Sequence, residues 1–285
     1  MKKMLNFFAV IFVVLVFAVS CKSPPPPDAA PAAPPPPPNT KGPDLRVTFS
    51  PKYFSPNGDK DELAIFLFAV DESPVTKWRV EIREPEPPNQ LFYDWEGNGA
   101  PPEKLNWDGK SKKGELVLSA TDYPFTFSAT NALGNTTTIK SLVEVDVFVI
   151  QEGQNLRIQI PSIVFSSNSG NWDNMDPQIT ANNQWVLQRI AQILNKFPDY
   201  QVRVEGHANP TINPKDTKGR EREQTRELQP LSESRAKTIV NYLVKLGVNQ
   251  SRLSSFGIGG ARPVAAWDDK DNWWKNRRVE FLLVK

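Results

Sequence analysis

Cysteine and histidine are almost missing from this chain: Cys21 and His207 are the only ones among 285 residues. A single cysteine cannot close an intramolecular disulfide, and its place near the N-terminus keeps it from pairing with the distant histidine as a catalytic nucleophile. A zinc site needs three or four His, Cys or carboxylate ligands at suitable spacing, and no such spacing is visible. Charge is nearly balanced at 34 basic against 32 acidic residues, with no compact Lys/Arg run, so nothing points to nucleic acid. The apolar run from Leu5 to Val19, interrupted by Asn6, is shorter than the roughly 20 residues a spanning helix requires.

What is present divides the chain, which is long enough for two domains. Lys2 and Lys3 precede the apolar run, and Ala18-Val19-Ser20 puts small residues before Cys21, so residues 1–20 read as an export signal. These residues resemble a bacterial lipoprotein signal, with Ala18 where leucine is commoner. The resemblance implies that Cys21 becomes a lipidated first residue, and that Lys22, in place of aspartate, fits outer-membrane sorting. More than one acyl chain on that cysteine suffices for stable anchoring. Eleven of the 27 prolines then form a cluster, and residues 21–43 read as a polyproline II tether. At about 3.1 Å per residue it reaches roughly 60–70 Å from a lipid surface.

Residues 44–149 read as all-β. Leu45-Arg-Val-Thr-Phe49, Leu63-Ala-Ile-Phe-Leu-Phe68 and Trp78-Arg-Val-Glu-Ile82 are strand-like, separated by turn clusters at 55–59, Asp108-Gly109 and 131–135. About seven strands at this spacing suggest a sandwich. The order Ser-Pro-Asn-Gly-Asp, Trp107-Asp-Gly109, Tyr123-Pro-Phe-Thr-Phe127 and Gly134 resembles the FlgD-type immunoglobulin-like domains of bacterial surface proteins, which implies a spacer or adhesion module. Asn57, Asp59, Asp61 and Glu62 offer oxygens for calcium but lack a full loop pattern, so a solvated turn is the simpler reading.

From residue 156 onward the period changes. Strand-like segments at 156–160 and 163–165 precede a helix with Val186, Ile190, Ile193, Leu194 and Phe197 on one face, ended by Pro198. A strand over 200–205, a helix starting after Ser232 and stopping at Gly247, and a last strand over 278–284 complete a two-layer α/β sandwich. Gly206-His-Ala-Asn209, Leu231-Ser-Glu-Ser-Arg-Ala236, Leu246-Gly-Val248, Phe256-Gly-Ile-Gly-Gly-Ala-Arg-Pro263 and Asn276-Arg-Arg-Val-Glu280 fall in the order found in OmpA-like domains. The expected fold class is therefore multidomain, an all-β Ig-like sandwich followed by a two-layer α/β OmpA-like domain over 150–285.

The OmpA resemblance implies non-covalent peptidoglycan binding. With Ser232 as N-cap, Arg235 falls in a first helical turn, where a guanidinium and free N–H groups suit a carboxylate. In the family the equivalent arginine takes the carboxylate of a diamino acid in the wall stem peptide; the alternative is that Arg235 pairs with Glu233, Glu227 or Glu205. The family's aspartate for the ligand's ammonium is Asn209 here, a weaker acceptor, and Leu228 replaces a family asparagine. The resemblance also carries Phe165, Ser166 and Arg277 into the peptidoglycan site, with Gly206, His207, Leu231 and Ser232 shaping it. Of Arg277 and Arg278, one is expected to tie the last strand to the domain.

The long polar stretch 210–230 is either a lid or loosely ordered, and it holds Asp216, Glu221 and Glu223 as replacement carboxylates. Trp267, Trp273 and Trp274 either stack on sugars or cover the sheet edge. No cofactor, metal or catalysis is expected. The expected role is to tie the outer membrane, from its periplasmic face, to the peptidoglycan stem peptide. The lipid of that membrane is a partner through the anchor, and envelope proteins are further partners. The rival is a degenerate OmpA-like fold serving as a periplasmic protein scaffold. A wall hydrolase would need a close carboxyl pair that the sequence does not announce.

Overall fold

The structure, a computed structural model, describes residues 41–56, 62–161, 163–166, 168–172 and 175–285. The export signal, Cys21, Lys22, the proline tether up to residue 40 and the candidate calcium ligands Asn57, Asp59 and Asp61 lie outside the described residues. Thr40–Lys285 forms one compact unit with two apolar cores.

The first core lies between two sheets. One has strands β1 (Asp44–Ser50), β3 (Leu63–Val70) and β6 (Lys104–Trp107) in the order β1-β3-β6. The other runs β2-β8-β7-β4-β5, from β2 (Tyr53–Phe54), β8 (Thr136–Val145), β7 (Asp122–Asn131), β4 (Val75–Arg83) and β5 (Leu91–Asn98). Strict alternation produces this packing: in β7, Tyr123, Phe125, Phe127 and Ala129 are buried while the residues between them face outward. Leu63, Ile65 and Leu67 of β3 and Val80 and Ile82 of β4 fill the same core.

The second core belongs to a five-stranded sheet ordered β12-β11-β13-β10-β9 and the helices against it. Its strands are β9 (Ile150–Glu152), β10 (Asn155–Ile160), β11 (Gln201–His207), β12 (Leu253–Gly259) and β13 (Val279–Val284). β11 and β12 are parallel, and β13 is antiparallel to both β10 and β11. α1 (Pro177–Lys196) starts at Asp176, whose side chain accepts from the Gln178 N–H at 2.7 Å, with proline at the first helical position. It buries Val186, Leu187, Ile190, Ala191 and Leu194. Residues 163–165, expected as a strand, are not in the sheet.

The second long helix begins well before Ser232. α2 (Thr217–Glu223), capped by Asp216 through the Gly219 N–H at 2.9 Å, runs through a π-helical turn, Gln224–Leu228, into α3 (Gln229–Lys245). Proline has no N–H to give and its ring crowds the preceding turn. Here the wider turn, in which the Gln229 N–H bonds back to the Gln224 carbonyl, carries the helix past Pro230. The stretch 210–230 is thus largely helical rather than a loose loop. Gly247, at φ 87, ends α3, and the Val248 N–H bonds to the Leu243 carbonyl at 3.0 Å.

α3 lies against β11 and β12 at two glycines. A Cβ on Gly206 would stand 2.2 Å from the Ser232 carbonyl oxygen, and one on Gly257 2.4 Å from that of Gln229. Ser232, expected as a cap, sits inside the helix. Its hydroxyl donates to the Gln229 carbonyl at 3.0 Å and accepts from the Gly259 N–H at 2.9 Å.

Candidate functional site

Buried Asn183 of α1 places Phe165. Its Oδ1 accepts from the Val164 N–H at 3.1 Å and its Nδ2 donates to the Val164 carbonyl at 2.7 Å, which pins segment 163–165 beside the helix. Phe165 then lies under Arg235, with the guanidinium carbon 5.2 Å from the ring centroid. Arg235 Nε donates to the Ser169 carbonyl at 3.0 Å, and Thr238, one turn on, donates to the Gly170 carbonyl at 2.5 Å. The loop before α1 and the middle of α3 therefore hold each other.

Because α3 continues upstream, Arg235 sits in a helix interior and not in a first turn, so the expected set of free helix N–H groups beside it is absent. What remains is the guanidinium itself. Burial, and behind it the charge of Arg277, pull Arg235 below the usual arginine range without discharging it. It has no ion pair among the described residues. Glu233 is engaged by the Gly257 N–H and Ser255, and Glu205 by Arg203 and Arg262, so neither serves as its partner.

Arg235, Phe165, Arg277, Gly206 and His207 line one cavity of about 210 Å³, together with Arg278, Trp274 and Glu86. Arg277 is exposed and makes no ion pair among the described residues. Arg278 is 5% exposed; its Nε donates to Glu280 at 2.7 Å and an Nη to the Arg262 carbonyl at 3.2 Å, while Nη1 has no acceptor. It is the arginine that ties the last strand in place. Trp274, 8% exposed, also leaves its indole N–H without an acceptor. Buried donors of this kind cost stability unless something bonds to them. The cavity thus presents two guanidinium groups without carboxylate partners, the chemistry that receives a carboxylate.

Asn209, Ser166, Leu231 and Ser232 are not in the lining of that cavity. The Asn209 carbonyl accepts from Asn276 Nδ2 at 2.8 Å, and its amide donates to the Pro210 carbonyl at 3.3 Å. Asn276 also accepts from the Val264 and Ala265 N–H groups at 2.8 and 2.9 Å, so it locks the turn after β12 to the exit of β11. The carboxylates of the 210–230 stretch work locally. Glu223 accepts from the Thr211 N–H at 2.8 Å and from its hydroxyl at 2.5 Å, and Asp216 caps α2. Trp267 and Trp273 spend their N–H groups on the Thr211 and Trp267 carbonyls, both at 3.1 Å.

His207 is 2% exposed and stands 3.8 Å from carboxylate oxygens of both Glu205 and Glu280. These three side chains could bring ligand atoms within 4.8 Å of one another. Yet Glu205 is already bound by Arg203 and Arg262, and Glu280 by Arg157 and Arg278. Four guanidinium groups on two carboxylates leave excess positive charge, which disfavours a further cation; the cluster is an ion-pair network. Burial first, then Arg278, lower the His207 pKa to about 3, so the ring is neutral. Burial pushes Glu280 the other way, but the charge and hydrogen bond of Arg278, with Arg157, hold it below the usual carboxylate range.

Sequence reasoning missed Glu86 and Asn183. The signal for Asn183 was a polar residue at a core-facing position of α1. Glu86 had none, because it lies in the sandwich, far along the chain from the rest of the cavity.

A mixed sheet backed by two helices, with an arginine of the second helix facing a cavity at the sheet's end, defines an OmpA-like domain. Residues 173–277 match the OmpA family. Among curated proteins, the peptidoglycan-associated lipoprotein of Agrobacterium fabrum is 36% identical over 113 residues, 39% of this chain and 57% of that protein. The one of Mesorhizobium japonicum is 38% identical over 113 residues, 39% of this chain and 60% of that protein. The chain therefore spans less than two thirds of the length of these relatives. Among solved structures, the cell wall anchor of the T6SS from Pseudomonas aeruginosa is similar over 48% of this chain and 87% of that chain, at 25% identity and a TM-score of 0.36.

Proposed function

We propose that the chain is a non-enzymatic envelope protein whose OmpA-like domain holds the peptidoglycan stem peptide without covalent chemistry. A lipid on Cys21 fixes its other end in the outer membrane, facing the periplasm. The observation that carries this reading is Arg235: a desolvated guanidinium without a carboxylate partner, sharing one cavity with Arg277. A ligand carboxylate relieves the cost of leaving that charge unpaired. The names of the relatives, peptidoglycan-associated lipoproteins, support the ligand class and the anchor.

The sandwich is read as an Ig-like spacer. In its favour, the Tyr123 hydroxyl at the start of β7 accepts from the Leu118 N–H, five residues upstream, at 2.9 Å, the arrangement of a tyrosine corner. In the rival reading the α/β unit is a scaffold for an envelope protein. It draws on Asn209, whose carbonyl is committed to Asn276.

Sedimentation of the mature protein with purified peptidoglycan tests the choice. Wall binding predicts that the protein pellets with the sacculus and that Arg235→Ala, if folded by circular dichroism, stays in solution. An unmutated protein that does not pellet supports the scaffold.

A further inference from the structure

The cavity that holds Arg235 is not made by the OmpA-like domain alone. Glu86, in the turn after β4 of the sandwich, lines it together with Arg235, Arg277 and Arg278. Glu86 makes no ion pair with any of these arginines, nor with any other described residue, although Lys275–Glu84 and Arg189–Asp146 pairs form along the same seam. Glu86 and two arginines without ion pairs thus line one space of about 210 Å³.

Opposite charges that share a cavity but stay apart match a ligand that carries both signs. A plain anion would be drawn by the arginines and repelled by Glu86. A carboxylate next to an ammonium satisfies both sides at once, through charge-assisted hydrogen bonds in a partly shielded space. Asn209 does not compete for the ammonium in this cavity: it is outside the lining and its carbonyl already accepts from Asn276.

We propose that Glu86 receives the ammonium group of the same ligand whose carboxylate Arg235 and Arg277 take. The site then selects a zwitterionic amino-acid centre, and the sandwich acts as part of the recognition surface in addition to being a spacer. This rests on the stem-peptide reading above and assigns the ammonium to a residue outside the OmpA-like segment.

The test is calorimetric titration of the full mature chain with two probes. One is a soluble peptidoglycan fragment whose diamino acid has a free ammonium and carboxylate; the other is the same fragment acetylated on that amine. The unmutated protein is expected to prefer the free amine. Glu86→Gln, an exposed and nearly isosteric change, is expected to weaken binding of the free amine about tenfold, or ~1.4 kcal/mol, and to leave the acetylated probe unchanged. Equal loss for both probes, no loss, or tighter binding in Glu86→Gln overturns the assignment. Arg235→Ala separates the two layers of argument. If it abolishes binding of both probes while Glu86→Gln is silent, the wall-binding reading stands and Glu86 is dismissed. If the unmutated protein binds neither probe, both fall.

Discussion

The Lys275 ammonium lies 2.7 Å from a carboxylate oxygen of Glu84, across the seam between the sandwich and the α/β layers. Glu84 is 5% exposed, and its other oxygen has no partner. Burial raises its pKa while the Lys275 hydrogen bond and charge oppose the rise. Lys275→Ala is expected to cost about 3 kcal/mol, because it strands a buried carboxylate, and Glu84→Gln clearly less. For an acid with a raised folded pKa the penalty grows as pH climbs past the usual glutamate range, so the Lys275→Ala deficit should be smaller in mild acid. Urea denaturation at two pH values reads both effects; a deficit that does not depend on pH refutes the stranded-charge account.

His207 gives stability a pH dependence of defined sign. Its folded pKa of about 3 lies below the 6.5 of an unperturbed imidazole, so the unfolded chain binds the proton first. Stability is complete above pH 6.5 and falls as pH drops towards 3, by an amount on the order of a few kcal/mol at full extent. Glu280, whose folded pKa is depressed from 4.5, adds acid lability only lower down. His207→Gln should flatten the profile between pH 6.5 and 4.5, leaving below it only the loss that the carboxylates cause. An unchanged profile in that window would contradict a buried neutral ring.

Asn209→Asp restores the acid that OmpA-like relatives are expected to carry, yet the structure argues that it will not strengthen wall binding. The side chain is spent on Asn276, and the Pro210 carbonyl that now accepts its amide would face an anion. Pelleting with the sacculus should be unchanged or slightly weaker. A marked gain would return the ammonium to position 209 and remove the need for Glu86.

Gly206→Ala is expected to destabilise the α/β unit by more than about 2 kcal/mol, since a methyl at 2.2 Å from a backbone oxygen forces α3 away from β11. Gly153→Ala serves as a comparison with open space but a left-handed backbone, φ 62, and should cost about 1 kcal/mol. Thermal melts that rank the two the other way would show that the helix tolerates displacement.

Much of the frame was legible because it depends on period. Alternation in β7 and the Val186, Ile190, Leu194 spacing of α1 mark buried faces directly. The glycine at the end of α3 was readable for the same local reason. Ser232 misled the reading: a serine ahead of an apolar periodic run looks like an N-cap, and only the hydrogen bonds of a π turn reveal a helix running through Pro230 before it. In the site, Arg235 and Arg277, which stand in two of the family motifs, share a cavity with Phe165, which stands in none. That Asn209 lies outside the lining was not readable, because its partner Asn276 is 67 residues away and nothing in the local sequence announces it. Glu86 was invisible for a like reason, since it reaches the cavity from a different layer of the molecule.

Tension applied between the chain's N-terminal side and a polymer gripped at Arg235 would pass through the seam that Glu84–Lys275 and Arg189–Asp146 hold together. Apolar contacts cross there too: Ala120 and Val147 belong to the second core, and the Tyr53 and Trp185 rings lie 6.0 Å apart. Load would therefore be shared between polar and apolar contacts, and the wall contributed by Glu86 stays in place for as long as they hold.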